Sequence, residues 1–109
     1  MKIVQSKSGD FTVVAIEGEV DLNSSPQLRK LFSELIDKGT AKIVVNFAKV
    51  SYIDSSGLAT LIEMMQRQKK DQSSMSLVEM SDKVKSLFEI TKLDKLFTIY
   101  HTQAEAVGA

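Results

Sequence analysis

The stretch Val50-Ser51-Tyr52-Ile53-Asp54-Ser55-Ser56-Gly57-Leu58 marks the place where a strand passes into a helix. The run before it, Ile43-Val44-Val45-Asn46-Phe47, is apolar with one polar break, which is typical of a buried strand. After it, apolar residues recur at intervals of three and four, as in an amphipathic helix: Leu58, Leu61, Ile62 and Met65. Asp-Ser-Ser-Gly is therefore expected at the carboxyl edge of a sheet, where functional loops of α/β folds concentrate.

The polar residues of this junction admit two interpretations. Asp and Ser are common helix N-caps and Gly is common in tight turns, so capping alone explains the composition. One residue is enough for an N-cap, however, and Asp54, Ser55 and Ser56 follow one another. A helix N-terminus has unpaired N–H groups and positive partial charge, so a remaining hydroxyl there could carry a phosphate. The residues alone leave both interpretations open.

Composition narrows the classes of function. The 109 residues fit one domain, residues 1–109, and the 43% hydrophobic share is enough for one core. The 14 basic and 14 acidic residues cancel, so we expect no nucleic-acid partner. No apolar run approaches the roughly 20 residues of a membrane span, and no signal peptide is visible. The absence of cysteine excludes disulfides and thiolate metal sites and suits a cytoplasmic protein.

The first half of the chain predicts a hairpin and then a helix. Short apolar runs at residues 3–6 and 11–16, separated by a turn at Gly9, favour two antiparallel strands. Residues 17–21 are predicted to be an acidic loop that ends the second strand. Ser25-Pro26 then carries the residue types favoured at a helix start, and Gly39 is typical of a helix end.

The second half continues the alternation of strand and helix. After the helix that begins at the junction, we predict a strand, a helix, a strand and a short helix at residues 75–78, 81–88, 96–100 and 102–107. Such an order is typical of a parallel sheet with right-handed crossovers. We therefore predict a single α/β domain, with a mixed, mostly parallel sheet of about four or five strands and helices packed against it.

Little in the sequence supports enzyme chemistry. The single histidine, His101, is far along the chain from Ser55, and no Gly-x-Ser-x-Gly elbow is present. Neither a Gly-x-Gly-x-x-Gly motif nor a phosphate-binding P-loop occurs. Glu19, Asp21 and Asp54 could form a weak acidic cluster, but a metal site needs more ligands at a defined geometry. We expect no catalytic residue, no cofactor and no metal.

The chain resembles the STAS domain, and more narrowly the bacterial anti-sigma-factor antagonists. The resemblance rests on Gly18-Glu19-Val20-Asp21, on the helix led by Ser25-Pro26, and above all on Asp-Ser-Ser-Gly-Leu at 54–58. It extends over essentially the whole chain. Departures from the family pattern are Ala59 and Lys92, where many relatives have Gly, and Asn46-Phe47-Ala48, where an acidic-apolar-small trio is frequent.

The resemblance implies a mechanism of partner switching. Such a protein binds an anti-sigma factor that is also a serine kinase, and this frees the sigma factor. The kinase then phosphorylates the serine after the Asp, here Ser55, and a PP2C-type phosphatase restores it. Asp54 and Ser56 match the flanking residues of the motif, and Asp21 matches an acidic position in the partner-facing loop.

The resemblance also implies where the partner binds. We expect the partner to cover Asp21 together with Asp54, Ser55, Ser56, Gly57 and Leu58. Leu58 or a neighbour is expected to supply an apolar contact. Charge reversal at Asp21 should weaken binding with little change in the thermal midpoint, as is usual for surface residues. If Ser56 is the N-cap, its removal should cost about 1 kcal/mol of stability.

Two other functions compete with this one. In the first, the chain is an unswitched STAS scaffold or structural subunit, for instance of a stress-sensing assembly or a lipid-transport complex. In the second, which the residues support least, Asp54 and Ser55 serve as catalytic groups of an enzyme. Treatment with a cognate kinase and ATP separates the switch from the scaffold, because only the switch acquires a phosphate.

Overall fold

The computed structural model describes residues 1–108. Strands and helices alternate after an initial hairpin, as predicted. In chain order the elements are β1 Lys2–Ser8, β2 Phe11–Val20, α1 Ser25–Asp37, β3 Lys42–Ile53, α2 Ser55–Lys70, β4 Ser74–Val78, α3 Asp82–Ile90, a 3-10 turn Leu93–Lys95, β5 Thr98–Tyr100 and α4 Gln103–Gly108.

The strands form one five-stranded sheet in the order β1-β2-β3-β4-β5. Only β1 runs antiparallel to its neighbour, through pairs such as Ile3 with Ile16. β2, β3, β4 and β5 pair in parallel, so helices must connect them across the sheet. The predicted α/β class and the mixed, mostly parallel sheet are both confirmed.

β2 and β3 extend furthest beyond the apolar runs that predict them. β2 continues to Val20, so the segment 17–21 is strand except for Asp21, and the prediction of an acidic loop there is wrong. β3 continues to Ile53. This extension pairs with the end of β2, where Glu19 lies opposite Tyr52 and Val20 lies opposite Ile53. The pairing skips residues in two places, and such bulges let a polar segment stay in the ladder. Parallel pairing thus carries both strands to the Asp residues that follow them.

The last strand is shorter than predicted. It begins at Thr98, because Leu93–Lys95 forms a 3-10 turn and Leu96 caps it. Lys92, just before this turn, has a φ of 61°. This left-handed conformation favours Gly. It agrees with the observation that the family which the chain resembles often has Gly at this position.

Each face of the sheet has its own apolar cluster. Side chains of α1, α2 and α3 pack on one face, where the Phe88 ring meets Phe47 and Phe97 edge to face. The short α4 packs on the other face through Ala106, against Val13, Val44 and Val78. Adjacent residues Val13 and Val14 therefore lie in different clusters, as the alternation of side chains along a strand requires.

Gln68 fixes the far end of α2. Its side chain is 1% exposed, and its amide nitrogen donates to the carbonyls of Thr40 and Ser74, each at 3.1 Å. These carbonyls precede β3 and open β4, so the helix is tied to both strands. With its C-terminal end held in this way, the N-terminus of α2 is placed at the carboxyl edge of the sheet.

Candidate functional site

Asp54 is the N-cap of α2. Its carboxylate Oδ1 accepts the backbone N–H groups of Ser56 at 2.9 Å and of Gly57 at 3.1 Å. Its backbone is extended, with φ −107° and ψ −173°, as an N-cap requires. One residue of the three therefore caps the helix, and it is the Asp. The alternative that Ser56 is the N-cap is wrong, since its N–H is a donor to the cap.

Ser55 is the first residue of α2 and is exposed. Within residues 1–108 its hydroxyl makes no hydrogen bond to another group, so it has no structural role in capping. Ser56 is half-buried, and its carbonyl accepts the Thr60 hydroxyl at 3.0 Å. Of the two serines, Ser55 is thus the one whose hydroxyl is presented to solvent.

Gly57 lies where α2 touches the ends of β2 and β3. A Cβ at this position would lie 2.7 Å from the Cγ1 atoms of both Val20 and Ile53. Real Cβ atoms do not approach so closely, so any side chain would push the helix away from the strands. The glycine of the motif is therefore needed for close packing and not for an unusual backbone conformation.

Leu58 is placed differently from the expectation of an exposed apolar contact. It is 7% exposed and belongs to the core cluster, because its helical position turns it toward the sheet. The little surface that it keeps lines a groove beside Ser55. Larger exposed apolar surface nearby belongs to Tyr52, at 45%, and Leu22, at 72%, neither of which the sequence singled out.

Asp21 heads the loop between β2 and α1. Its Oδ1 accepts the backbone N–H groups of Asn23 at 2.9 Å and Ser24 at 3.0 Å. The hydrogen bond from the Ser24 N–H, chiefly, holds the pKa of the Asp21 carboxyl below its ordinary value. Asp21 is therefore a turn-forming residue. These bonds predict that charge reversal at Asp21 also lowers the thermal midpoint, in contrast to the expectation from the sequence of little change.

The two Asp-headed loops lie side by side. Val20 and Ile53 are paired in the parallel ladder, and each precedes its Asp. The Asp54 N–H donates to the Val20 carbonyl at 3.0 Å, which links the two strand ends directly. The structure thus brings Asp21 and the 54–58 junction together at one edge, as the resemblance implied. Glu19 also lies near this edge, but within residues 1–108 no cluster of acidic or histidine side chains is suited to a metal.

A groove of about 500 Å³ opens beside Ser55. Its walls are the end of β3 and the start of α2 on one side and α3 on the other; they include Tyr52, Asp54, Ser55, Leu58, Lys83, Val84 and Leu87. The lining is mostly apolar, and Lys83 is its single cation. Nothing in the sequence indicated Lys83, because only the packing of α3 brings it to this edge.

His101 does not belong to the Ser55 site. It is exposed and lines a separate pocket with Lys85, Glu89 and Tyr100. Ser55 therefore has no histidine base in its groove. Over the described part of the chain, no helix is both long and apolar enough to span a membrane.

The family model of the STAS domain matches residues 2–106. The chain belongs to the STAS domain family. Residues 2–106 include both Asp-headed loops, the groove and all five strands, so the site lies entirely within the matched STAS domain.

This STAS domain is similar to proteins named as antagonists of anti-sigma factors. It is 29% identical over 99 residues to the anti-sigma-B factor antagonist of Staphylococcus aureus. The aligned residues cover 91% of this chain and 92% of the relative. An anti-sigma factor antagonist from Mycobacterium paratuberculosis has the same fold, with a TM-score of 0.90 and 21% identity over 98% of this chain and 91% of that one. The Bacillus cell fate determinant SpoIIAA in its phosphorylated form superposes with a TM-score of 0.76 and 23% identity, covering 98% and 97%.

Proposed function

We propose that this STAS domain is an anti-sigma-factor antagonist switched by phosphorylation of Ser55. The unmodified domain binds an anti-sigma factor that is also a serine kinase. This binding makes the anti-sigma factor release its sigma factor. After transfer of phosphate from ATP to the Ser55 hydroxyl, the domain leaves its partner. A PP2C-type phosphatase removes the phosphate and restores binding. Such a circuit acts on RNA polymerase, which places the protein in the cytoplasm.

The observation that carries the proposal is the exposed Ser55 hydroxyl at the start of α2. Asp54 already satisfies the N–H groups of Ser56 and Gly57, so Ser55 is free to be modified without loss of the cap. A helix N-terminus tolerates an added anion, so the phosphorylated domain stays folded. The names of the Staphylococcus and Mycobacterium relatives, and the phosphorylated form of SpoIIAA, support the same function.

The interface is proposed to include both Asp-headed loops. Asp21, Asp54, Ser55 and Ser56 offer its polar contacts, while Tyr52 and Leu22 offer exposed apolar surface beside them. Gly57 and Leu58 contribute mainly by holding α2 in place, since both are buried.

Phosphorylation adds about −1.5 to −2 charges at neutral pH. At an interface that already contains Asp54, this adds like-charge repulsion and leaves a strongly hydrated group to be buried. A loss of about 3–4 kcal/mol in binding free energy weakens the complex by several hundredfold. Such a loss releases the partner although the domain keeps its fold.

The test uses an anti-sigma factor kinase from the same genome, together with ATP. Wild type, Ser55→Ala and Ser56→Ala are treated in parallel, and the phosphosite is mapped by mass spectrometry. We expect phosphate on Ser55 in wild type and Ser56→Ala, and none on Ser55→Ala. Phosphate on Ser56, or on Ser55→Ala, would show that the wrong serine is assigned.

Binding of the same variants is measured by calorimetry. Ser55→Ala should bind the partner like wild type and remain bound in the presence of ATP. Ser55→Asp should bind more weakly, but less so than the phosphorylated domain, because a carboxylate has less charge and fewer acceptor oxygens. If an active kinase modifies none of the chains, the unswitched scaffold becomes the better function.

A further inference from the structure

The groove beside Ser55 is lined by one cationic side chain. Lys83 lies in the first turn of α3 and lines the groove together with Ser55 and Asp54. It is exposed, and among residues 1–108 it forms no ion pair. The Asp54 carboxylate in the same groove accepts the N–H groups of α2 through its Oδ1, and among residues 1–108 it forms no ion pair with Lys83. Lys83 thus faces the groove without a fixed partner.

Ser55 and Lys83 both lie in the first turns of their helices, while the groove itself runs along the side of α3 as far as Thr91. α2 begins at Ser55 itself, and the first turn of α3 contributes Lys83 and Val84 to the lining. The partial positive charge of a helix N-terminus disfavours a nearby cation and favours an anion. A lysine in the first turn of α3 is therefore unfavourably placed unless an anion approaches it.

We propose that Lys83 binds the phosphoryl group on Ser55, so that the modified serine and Lys83 form a bridge across the groove. This inference rests on the proposed phosphorylation of Ser55. Lysine is suited to the role because its flexible stem and three rotatable donors can follow a phosphate that has no fixed orientation. The bridge occupies the apolar groove next to Tyr52 and Leu58, so modification removes binding surface in addition to placing charge at the interface.

The same helix provides a matched control. Lys85 is two residues further along α3 and lines the separate pocket that contains Glu89, Asp94 and His101. Lys83→Gln and Lys85→Gln change the net charge equally, but only the first removes the cation from the groove. Lys83→Arg keeps the charge in the groove and serves as the conservative variant.

The experiment measures the second pKa of phosphoserine 55 by ³¹P NMR. Phosphoserine is placed at position 55 during synthesis by reassignment of a codon, so the measurement needs neither a kinase nor a partner. A cation beside the phosphate favours the dianion and lowers this pKa. Asp54 and Asp82 oppose this effect, and the N-terminus of α2 favours it, but these groups are the same in every variant.

We expect Lys83→Gln to raise the phosphate pKa by about half a unit, as befits an exposed charge pair. Lys85→Gln should leave it nearly unchanged, Lys83→Arg should keep it low, and salt near 1 M should remove the difference. Thermal midpoints of the unmodified variants check that α3 stays folded. Equal shifts for Lys83→Gln and Lys85→Gln would overturn the bridge while leaving the partner switch intact. A chain that no kinase modifies would instead refute the switch, whatever the pKa shows.

Discussion

The loop after β2 and the junction after β3 begin in the same way and end differently. In each, an Asp follows the strand and its Oδ1 accepts the N–H groups of the residues two and three positions later. In the first loop the serine hydroxyl is engaged: Ser24 donates to the Glu19 carbonyl and accepts the Asp21 N–H, both at 2.9 Å. In the second, the hydroxyl of Ser55 has no partner within the described residues.

The difference shows what separates a serine held by its own loop from a serine available for modification. Asp21 and Ser24 bond to each other in both directions, so this loop closes on itself before α1 begins. At the junction, the helix starts directly after Asp54, and Ser55 extends from its first turn into solvent. Residue type is the same in both places, and hydrogen bonding decides the role. The predictions below test this contrast.

The largest effect is expected at Gly57, which has no equivalent in the Asp21 loop. Gly57→Ala should destabilise the domain by about 1–3 kcal/mol, since the added methyl overlaps both Val20 and Ile53. Urea unfolding measures this. Gly108→Ala is the control, because its Cβ would meet no atom within 4 Å. If both glycines tolerate Ala equally, close packing does not explain the motif glycine.

The two Asp carboxylates should both contribute to the stability of the domain. Asp54→Ala should cost about 1 kcal/mol as the loss of an N-cap, and Asp21→Ala should also be destabilising, because each leaves two backbone N–H groups without their acceptor. Asn in either position keeps the Oδ1 acceptor and should cost less than Ala. Chemical unfolding of the four variants makes the comparison. A neutral Asp21→Ala with weakened partner binding would assign Asp21 to the interface alone.

The two serines should differ in how much their hydroxyl groups contribute to stability. Ser24→Ala removes a hydroxyl with two short hydrogen bonds and should cost about 0.5–1.5 kcal/mol. Ser55→Ala removes an exposed hydroxyl and should change stability by less than about 0.5 kcal/mol. Thermal unfolding monitored by circular dichroism is sufficient. A clear loss in Ser55→Ala would reveal a structural bond of Ser55 and weaken its assignment as the switch.

The smallest effect is the pH dependence of Asp21. Its pKa is lowered in the folded state, chiefly by the Ser24 N–H, so the charged form is favoured by folding. Its contribution to stability is complete above the pKa of the unfolded chain and is lost as the pH falls through the lower folded value. NMR titration of the Asp21 carboxyl carbon should show this lower midpoint. The stability difference between wild type and Asp21→Asn should shrink over the same acidic range.

Much of the fold could be predicted because it rests on local patterns. The helical spacing of apolar residues in α1 and α2, the Ser25-Pro26 start and the apolar run of β3 all mark their elements without knowledge of the rest. The strand ends could not be predicted, since Glu17–Gly18–Glu19 is polar and becomes strand through its pairing with neighbouring strands, chiefly β3. Polar residues join a ladder when a neighbouring strand offers the hydrogen bonds.

The candidate site also has a part that local sequence predicts and a part that depends on tertiary packing. Asp54, Ser55 and Gly57 are adjacent in the chain, so their order at a strand-to-helix junction can be read directly from the sequence. Which of them caps the helix and which stays exposed depends on how α2 seats against Val20 and Ile53. Tyr52, Leu22 and Lys83 join the site only because separate elements meet at one edge of the sheet.

The sequence by itself determined the α/β class, the hairpin, the junction at 54–58 and the family resemblance, because each depends on residue types at short, regular spacing. The tertiary structure decided that Asp54 caps α2, that Asp21 closes its own turn, that Leu58 is buried, and that Lys83 faces the groove of Ser55. These outcomes depend on distances between residues remote in the chain. Local propensity carries no information on such distances, which follow from packing.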